Sequence, residues 1–325
     1  MHPLPEFIVR RPASLAQAAA LLAAHPAARL VAGGTDLLPN LRRGLEQPPV
    51  LVDLSALHGL ATVETTPDGM LLGAGLTIAE LTRIRAVTGC LPTLAEAARS
   101  VAGPGHRSAA TLGGNLCQDT RCVFYNQSEW WRASNHYCLK RGGDTCHVAP
   151  QGERCHAAFA SDLAPVLLVL GAQVELLSAA GSRWMALREL YRDDGAAHLT
   201  LARDEVLTRV RLPVAPPGQK CGYRKARVRA AMDFPLAAVA VSCVLQDGRL
   251  AALAVGLSGT NSCPLLLDGT AELLGRPVDA ALLAQVGKLV QQQVSPMRST
   301  VTPANYRRQV AAATAQRLLR ELAGT

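Results

Sequence analysis

The sequence predicts an α+β fold in two domains, and three observations carry that expectation. Short runs of strand and helix pattern alternate from the N-terminus to Pro213. The proline-rich stretch Val214-Ala-Pro-Pro-Gly218 then breaks the pattern. Beyond it a strand pattern over 222–229 leads into a hairpin of 236–245 and 250–257, turning at Asp247-Gly248, before helices rich in alanine and leucine. The expected division is therefore residues 1–216 and 219–325. With 325 residues, 49% of them apolar, the chain can bury two cores or three.

The first domain is justified element by element. Ser14-Leu-Ala-Gln17 has the form of a capping box and opens a helix to Ala24, with Leu15, Ala18 and Leu22 on one stripe. A strand over 29–32 hands over to Gly33-Gly34-Thr35-Asp36 and an amphipathic run, Leu37 to Arg43. A second strand, Val50 to Leu54, completes a βαβ-like unit. Thr66-Pro67-Asp68-Gly69 turns a hairpin between Ala61 and Thr77. Thr77-Ile-Ala-Glu80 and Thr93-Leu-Ala-Glu96 are two more boxes, the second helix ending near Gly103-Pro104-Gly105. Thr111-Leu-Gly-Gly-Asn115 follows, then a long polar segment. Ser161-Asp162 is expected to cap an apolar helix to Leu170, with strands from Ala172 to Pro213. No internal repeat stands out.

The formal net charge is +8, but basic residues are scattered and no stacking platform accompanies them, which argues against nucleic acid. An acidic protein partner, an anionic cofactor or a plain solvated arginine surface accounts for the charge. No segment reaches membrane-spanning length. Arg10-Arg11 before an alanine/leucine run has the look of an export signal, yet Pro12 and the Ser14 box fit the first helix better. Nine cysteines is an odd number, so the expectation is a cytoplasmic chain with reduced thiols or metal ligands rather than a disulfide framework.

Paired glycines let backbone N–H groups approach a pyrophosphate that a Cβ would hold away. A helix start beyond the turn adds partial positive charge. A Gly-Gly pair alone most often serves a tight loop; two such turns beside strand patterns carry more weight. Neither is a G-x-G-x-x-G fingerprint and no P-loop is present, which disfavours a Rossmann domain.

Taken in order, Ala32-Gly-Gly-Thr-Asp36, Thr111-Leu-Gly-Gly-Asn115, Ser161-Asp-Leu-Ala-Pro165, Asp204-Glu-Val-Leu207 leading to Leu212-Pro213, and Lys225 with Asp233 resemble the FAD-binding subunits of the molybdenum hydroxylases. That family includes xanthine dehydrogenase, carbon monoxide dehydrogenase and aldehyde oxidoreductases. The resemblance spans nearly the whole chain. It implies a vanillyl-alcohol-oxidase/PCMH-type FAD-binding domain of two subdomains, followed by a smaller C-terminal α+β domain. Carried over residue by residue, it implies FAD contacts at Arg29, Leu30, Val31, Ala32, Gly33, Gly34, Thr35 and Asp36. Thr111, Gly114, Asn115, Ser161, Asp162, the backbone around Leu207, and Lys225 complete the set. Helix capping alone would account for Asp162, and a solvated strand face with Arg227 and Arg229 for Lys225. One departure from the family is His106-Arg107-Ser108 in place of Ile-Arg-Asn, which bears on the polarity around the flavin. No catalytic acid or base is expected in this chain.

In simpler relatives the second glycine turn runs soon into Ser-Asp; here residues 116–160 intervene. The insertion, about 117–158, holds Cys122, Cys138, Cys146 and Cys155, separated by 15, 7 and 8 residues. The Cys-x-x-Cys knuckles usual in zinc sites are absent. Four thiolates from a wrapped loop suit a [4Fe–4S] cluster. Cys117 is the rival ligand, ranked below these four. His136, His147 and His156 are expected in hydrogen-bonding or surface roles, and Cys90, Cys221, Cys243 and Cys263 as buried packing residues. The stretch Cys122-Val-Phe-Tyr-Asn-Gln-Ser-Glu-Trp-Trp-Arg132, through Asn135-His-Tyr-Cys138 to Cys155-His-Ala157, resembles the β subunits of 4-hydroxybenzoyl-CoA reductases. Certain aldehyde oxidoreductase flavin subunits carry a related loop.

That resemblance implies a doubled heterotrimer. A large subunit would hold the molybdopterin cofactor and substrate pocket, and a small one two [2Fe–2S] clusters. This chain would pass electrons from ferredoxin towards them while 4-hydroxybenzoyl-CoA is reduced to benzoyl-CoA. The alternatives are the FAD subunit of an aldehyde or xanthine-type oxidoreductase, a zinc-stabilised non-redox binding module, and a stand-alone flavin oxidase.

Overall fold

The computed structural model describes residues 3–297 and 302–325. Strands β1 (Ile8–Arg10), β2 (Arg29–Val31) and β3 (Val50–Asp53), with helices α1 (Leu15–Ala24) and α2 (Leu37–Arg42), make a small parallel unit of strand order β1-β3-β2. The central strand is an unbroken apolar run, Val50-Leu51-Val52, as a strand buried on both faces should be. Ser14 caps α1 by accepting the Gln17 N–H at 3.2 Å. Gln17 returns the bond to the Ala13 N–H at 2.6 Å, so the box closes one residue early.

The next unit joins β4 (Val63–Thr66) and β5 (Gly69–Gly73) to helices α3 (Ile78–Leu81), α4 (Arg85–Cys90), α5 (Pro92–Ser100), α6 (Pro104–Arg107), α7 (Leu112–Leu116), α8 (Glu129–Ser134) and α9 (Ala164–Val169). Strands β6 (Gln173–Ser178), β7 (Gly181–Ala186) and β8 (Val206–Pro213) complete an antiparallel sheet, β4-β5-β8-β6-β7. Leu72, Val174, Leu176, Val210 and Leu212 share a core with Ile78, Leu94, Leu112 and Leu167. Thr77 and Glu80 form the full reciprocal box expected of them. Thr93 does not cap: α5 starts at Pro92, two residues before the start a Thr93 cap would give, and the Thr93 hydroxyl donates instead to Cys221 O at 2.9 Å. Nor does Asp162 cap. Helix α9 begins at Ala164, whose N–H goes to Ser161 Oγ at 3.0 Å.

The remaining sheet is antiparallel, with β9 (Lys220–Ala226), β10 (Ala237–Gln246), β11 (Arg249–Ser258) and β12 (Leu265–Leu266) in the order β12-β11-β10-β9. Helices α10 (Ala280–Gln293) and α11 (Ala304–Ala323) share a core with it. Asp247 (φ 50°) and Gly248 (φ 74°) are both left-handed, as a tight two-residue hairpin turn demands. Along β10 the period-2 alternation divides two cores. Ala237, Val239, Val241 and Cys243 face α10 and α11, while Ala238 and Ala240 join the core of the five-stranded sheet. That second face carries small residues because α9 lies on it; a Cβ on Gly256 would stand 2.4 Å from Pro165 O. No helix among the described residues is long and apolar enough to cross a membrane.

Candidate functional site

The first glycine turn leaves β2 and lies directly on the backbone that precedes the second. A Cβ on Gly33 would stand 1.9 Å from Ala109 O and 2.9 Å from Ala110 N, so only glycine permits the approach. Gly34 follows at φ +67°, and Leu38 N closes the turn on Gly34 O at 3.0 Å. The N–H groups of Gly33, Gly34 and Thr35 find no acceptor among the described residues. Successive free N–H groups at a left-handed turn form a concavity suited to an anion. Arg29, on β2 before this turn, is paired at the surface with Glu46 at 2.6 Å.

The second turn is built differently from expectation. Its N–H groups are already spent: Leu112 on Leu76 O (2.8 Å), Gly113 on Ala74 O (2.8 Å), Gly114 on Thr111 Oγ1 (3.1 Å) and Asn115 on Thr111 O (2.9 Å). Gly113 is needed for packing, since its Cβ would sit 2.9 Å from that of Ala74. Among the described residues Asn115 Nδ2 has no acceptor, while Asn115 Oδ1 accepts the Ser161 hydroxyl at 2.6 Å. Leu207 is linked to the same place through its neighbour: Thr208 O accepts the Ala74 N–H at 2.9 Å beside a bulge in β8.

Lys225 is buried, not part of a solvated strand face. Its Nζ donates to Asp162 Oδ2 at 2.8 Å and to Ser100 O at 3.2 Å, and Tyr223 donates to Asp162 Oδ1 at 2.7 Å. Burial raises the Asp162 carboxyl's pKa, opposed by the Lys225 ammonium and the Tyr223 hydroxyl. Ser161, Asp162 and Lys225 thus run on from Asn115 as one chain of contacts. Asp36 goes elsewhere, accepting the Asp119 N–H at 2.9 Å and pairing with Arg121, which also reaches Asn40 Oδ1 at 2.9 Å.

Those contacts fasten the cysteine segment to the first glycine turn. Arg121 and Ala158 exchange two backbone bonds of 2.8 Å each, which closes the loop at its base. Inside, Arg132 is 2% exposed and donates to the carbonyls of Tyr125, Gln127, Arg43 and Gly44 while pairing with Glu129. It holds α8, an element without a visible sequence signal beyond Ser128, whose Oγ accepts the Trp131 N–H at 3.4 Å. Cys138, Cys146 and Cys155 are buried and Cys122 is half-buried; all four thiols are free. They lie within electrostatic reach of one another: Cys122 feels Cys138 and Cys146, and Cys155 feels Cys146 and Cys122. Burial raises the Cys122 thiol and pushes Cys155 up to about 12. Each of these two sulfurs accepts the N–H two residues on, from Phe124 and Ala157, at 3.4 Å.

The donor set bears on which group fits. Among the described residues no three Cys, His, Asp or Glu side chains converge around a single ion. A tetrahedral zinc with Zn–S near 2.3 Å would bring thiolates within about 3.8 Å of each other. An iron–sulfur cluster binds its thiolates through separate irons and spaces them more widely, and N–H bonds to the ligand sulfurs are among its usual tuning contacts. Lys140, buried beside Cys155, pairs with Asp119 at 2.5 Å and lies 4.4 Å from the Tyr125 ring centroid. Cys117 stands behind the second turn, its thiol pushed up to about 12 by burial, with Arg29 and Tyr191 as its electrostatic neighbours. His147 bonds Tyr137 O at 2.5 Å and stacks on Phe124, whereas His136 is exposed and His156 half-buried. Of the four cysteines expected in packing roles, Cys243 is buried, Cys221 and Cys263 are half-buried, and Cys90 is exposed because it ends α4 at the surface.

Tyr223, Ser100, Asp119, Arg121 and Lys140 were not legible as site residues. Only Tyr223 carried a signal, two residues before Lys225 on one strand face.

Sequence comparison matches residues 5–215 to the FAD binding domain in molybdopterin dehydrogenase and residues 222–322 to the CO dehydrogenase flavoprotein C-terminal domain. The carbon monoxide dehydrogenase medium chain of Afipia carboxidovorans is 28% identical over 307 residues, covering 94% of this chain and 92% of that one. The aldehyde oxidoreductase FAD-binding subunit of Escherichia coli K12 is 33% identical over 260 residues, 77% and 80% of the two chains. The structure of reconstituted CO dehydrogenase from Oligotropha carboxidovorans superposes with a TM-score of 0.82 at 26% identity, covering 99% of each chain. A two-domain match of this extent, over a fold with the same two units, decides the family: the chain belongs to the FAD-binding medium subunits of the molybdenum hydroxylase/CO dehydrogenase family.

Proposed function

We propose that this chain is the flavin- and iron–sulfur-bearing subunit of a 4-hydroxybenzoyl-CoA reductase-type complex. The observation that carries the reading is the four-cysteine loop, fastened through Arg121 to Asp36 of the first glycine turn. In this reading residues 1–216 form the flavin domain, with the insertion at about 117–158, and 219–325 the C-terminal domain.

FAD would be held at the pyrophosphate by the free N–H groups of Gly33, Gly34 and Thr35, within the segment Arg29, Leu30, Val31, Ala32 and Asp36. Thr111, Gly114, Asn115, Ser161, Asp162, the backbone around Leu207, and Lys225 would bind the rest. When bound, FAD supplies a centre that exchanges electrons either in pairs or singly. Cys122, Cys138, Cys146 and Cys155 would hold a [4Fe–4S] cluster, which supplies one-electron exchange at a potential set by burial and by hydrogen bonds to sulfur. The N–H groups of Phe124 and Ala157 are placed for that tuning. No residue of this chain is assigned as a catalytic acid or base.

The partners in this reading are a molybdopterin-bearing large subunit and a small subunit with [2Fe–2S] clusters, as two heterotrimers in the cytoplasm. Reduced ferredoxin would be the donor, an acidic carrier suited to a chain of net charge +8. On the partner, loss of the phenolic hydroxyl as water takes two electrons and two protons, leaving benzoyl-CoA. The test is anaerobic: in a Cys138→Ser variant reduced ferredoxin fails to reduce the flavin, and reduction at the unchanged rate would remove this route. A second reading, an aldehyde or xanthine-type oxidoreductase running electrons outward, is favoured by the 33% identity to the aldehyde oxidoreductase subunit. Turnover of an aldehyde by the assembled complex, and none of 4-hydroxybenzoyl-CoA, would select it.

A further inference from the structure

The Asp162 and Lys225 side chains are each only about one-twentieth exposed. The carboxylate has both oxygens occupied, Oδ2 by Lys225 and Oδ1 by Tyr223. Counting protons fixes the direction of the second bond. Ser100 Oγ lies 3.3 Å from the Tyr223 oxygen, but its one proton goes to Ala97 O at 2.7 Å. An ionised carboxylate has no proton to give, so the tyrosine proton goes to Asp162 Oδ1 at 2.7 Å rather than to the more distant Ser100 Oγ. Lys225 carries three N–H donors, and two acceptors surround it among the described residues, Asp162 Oδ2 and Ser100 O. One donor of a buried ammonium is left over, and buried donors are costly to leave without a partner.

Tyr223 and Lys225 leave the same face of β9, and the tyrosine is 1% exposed. Resting on the assignment of Asp162 and Lys225 to the FAD site, we propose that Tyr223 is a positioning residue for the flavin: by occupying Oδ1 it takes up part of the carboxylate's charge and fixes Asp162 against Lys225. This sets where the lysine presents its third N–H and how much of its charge remains for the ring. Negative charge builds on a flavin ring as it is reduced, so a neighbouring cation favours the reduced form and raises the potential. Removing the tyrosine hydroxyl leaves the carboxylate less neutralised and draws the lysine towards it. The potential then falls. A tyrosine that only filled space between the two domains would change stability and leave the potential alone.

The experiment compares Tyr223→Phe and Lys225→Met with the parent in the flavin-loaded full-length protein. It reads midpoint potential, visible spectrum, FAD dissociation constant and melting temperature. Both variants are expected to lower the potential, Tyr223→Phe by less, and Tyr223→Phe to weaken FAD binding several-fold. A potential that moves in Lys225→Met but not in Tyr223→Phe overturns the proposal and leaves the flavin site intact. If neither moves, Lys225 is not beside the flavin, and both that assignment and the proposal fall. Should Tyr223→Phe not fold, Asp162→Asn replaces it: removing the negative charge should raise the potential, and no change would overturn the proposal.

Discussion

A methyl group at Gly33 tests whether the two glycine turns must touch for the flavin site to exist. The added Cβ of Gly33→Ala would stand 1.9 Å from Ala109 O, 2.4 Å from Ala109 C and 2.9 Å from Ala110 N. All three are backbone atoms, so no rotamer change relieves the clash. Ordinary contact begins near ~3.5 Å, and the turns must part by about 1.5 Å to reach it. Overpacking of this kind costs about 1–3 kcal/mol of stability. Parting the turns also displaces the N–H groups of Gly33, Gly34 and Thr35. One charge-assisted hydrogen bond to a pyrophosphate is worth about 1.5–3 kcal/mol. Its loss raises the FAD dissociation constant by about 10- to 100-fold.

The control is Gly105→Ala in α6, where an added Cβ meets nothing within 4 Å. Flavin fluorescence titration gives the dissociation constant, and thermal melts with and without FAD separate the folding loss from the binding loss. FAD bound by Gly33→Ala as tightly as by the parent would refute the reasoning, because the N–H concavity would then lie outside the site.

Three further outcomes are expected. Asp36→Asn removes the charge that faces Arg121, and the pair is partly exposed, so its loss costs on the order of 1–2 kcal/mol. Limited proteolysis should cut the 122–157 loop faster. Arg132→Met strips the carbonyls of Tyr125, Gln127, Arg43 and Gly44 of a buried donor and should cost about 3 kcal/mol locally. Hydrogen exchange should accelerate in α8 and stay unchanged in β10 and β11. His198 is buried with Nε2 against Gln118 O at 2.9 Å, and burial lowers its pKa from 6.5. A lowered histidine pKa means that the unfolded chain binds the proton more readily, so this stability is present above pH 6.5 and is lost as pH falls below it. The melting temperature should therefore fall on acidification, and His198→Gln should flatten that slope.

What the sequence revealed depended on the range of the interaction. Asp247-Gly248 and Thr77-Ile-Ala-Glu80 are satisfied within a few residues, and both formed as expected. Thr93-Leu-Ala-Glu96 has the same local form, but Pro92 fixed the helix start and Cys221, far along the chain, took the hydroxyl. The first glycine turn kept its N–H groups free, whereas the second spent them on Ala74 and Leu76, strand-end partners that a motif cannot disclose. Lys225 read equally well as a solvated residue because its partners, Asp162 and Ser100, lie in the other domain. The cysteine spacing marked the loop, but not what fastens it: Asp36 and Arg121 are distant in sequence, and neither is unusual where it stands.

The measurement that bears most directly on the central claim is anaerobic: iron, acid-labile sulfide, zinc and released flavin per chain, with EPR of the dithionite-reduced protein. The account predicts about four irons with a reduced-cluster signal beside about one FAD, all four irons lost in Cys138→Ser. One FAD with zinc, or with no metal at all, would contradict it and leave the four-cysteine loop a structural clamp on an ordinary flavin subunit.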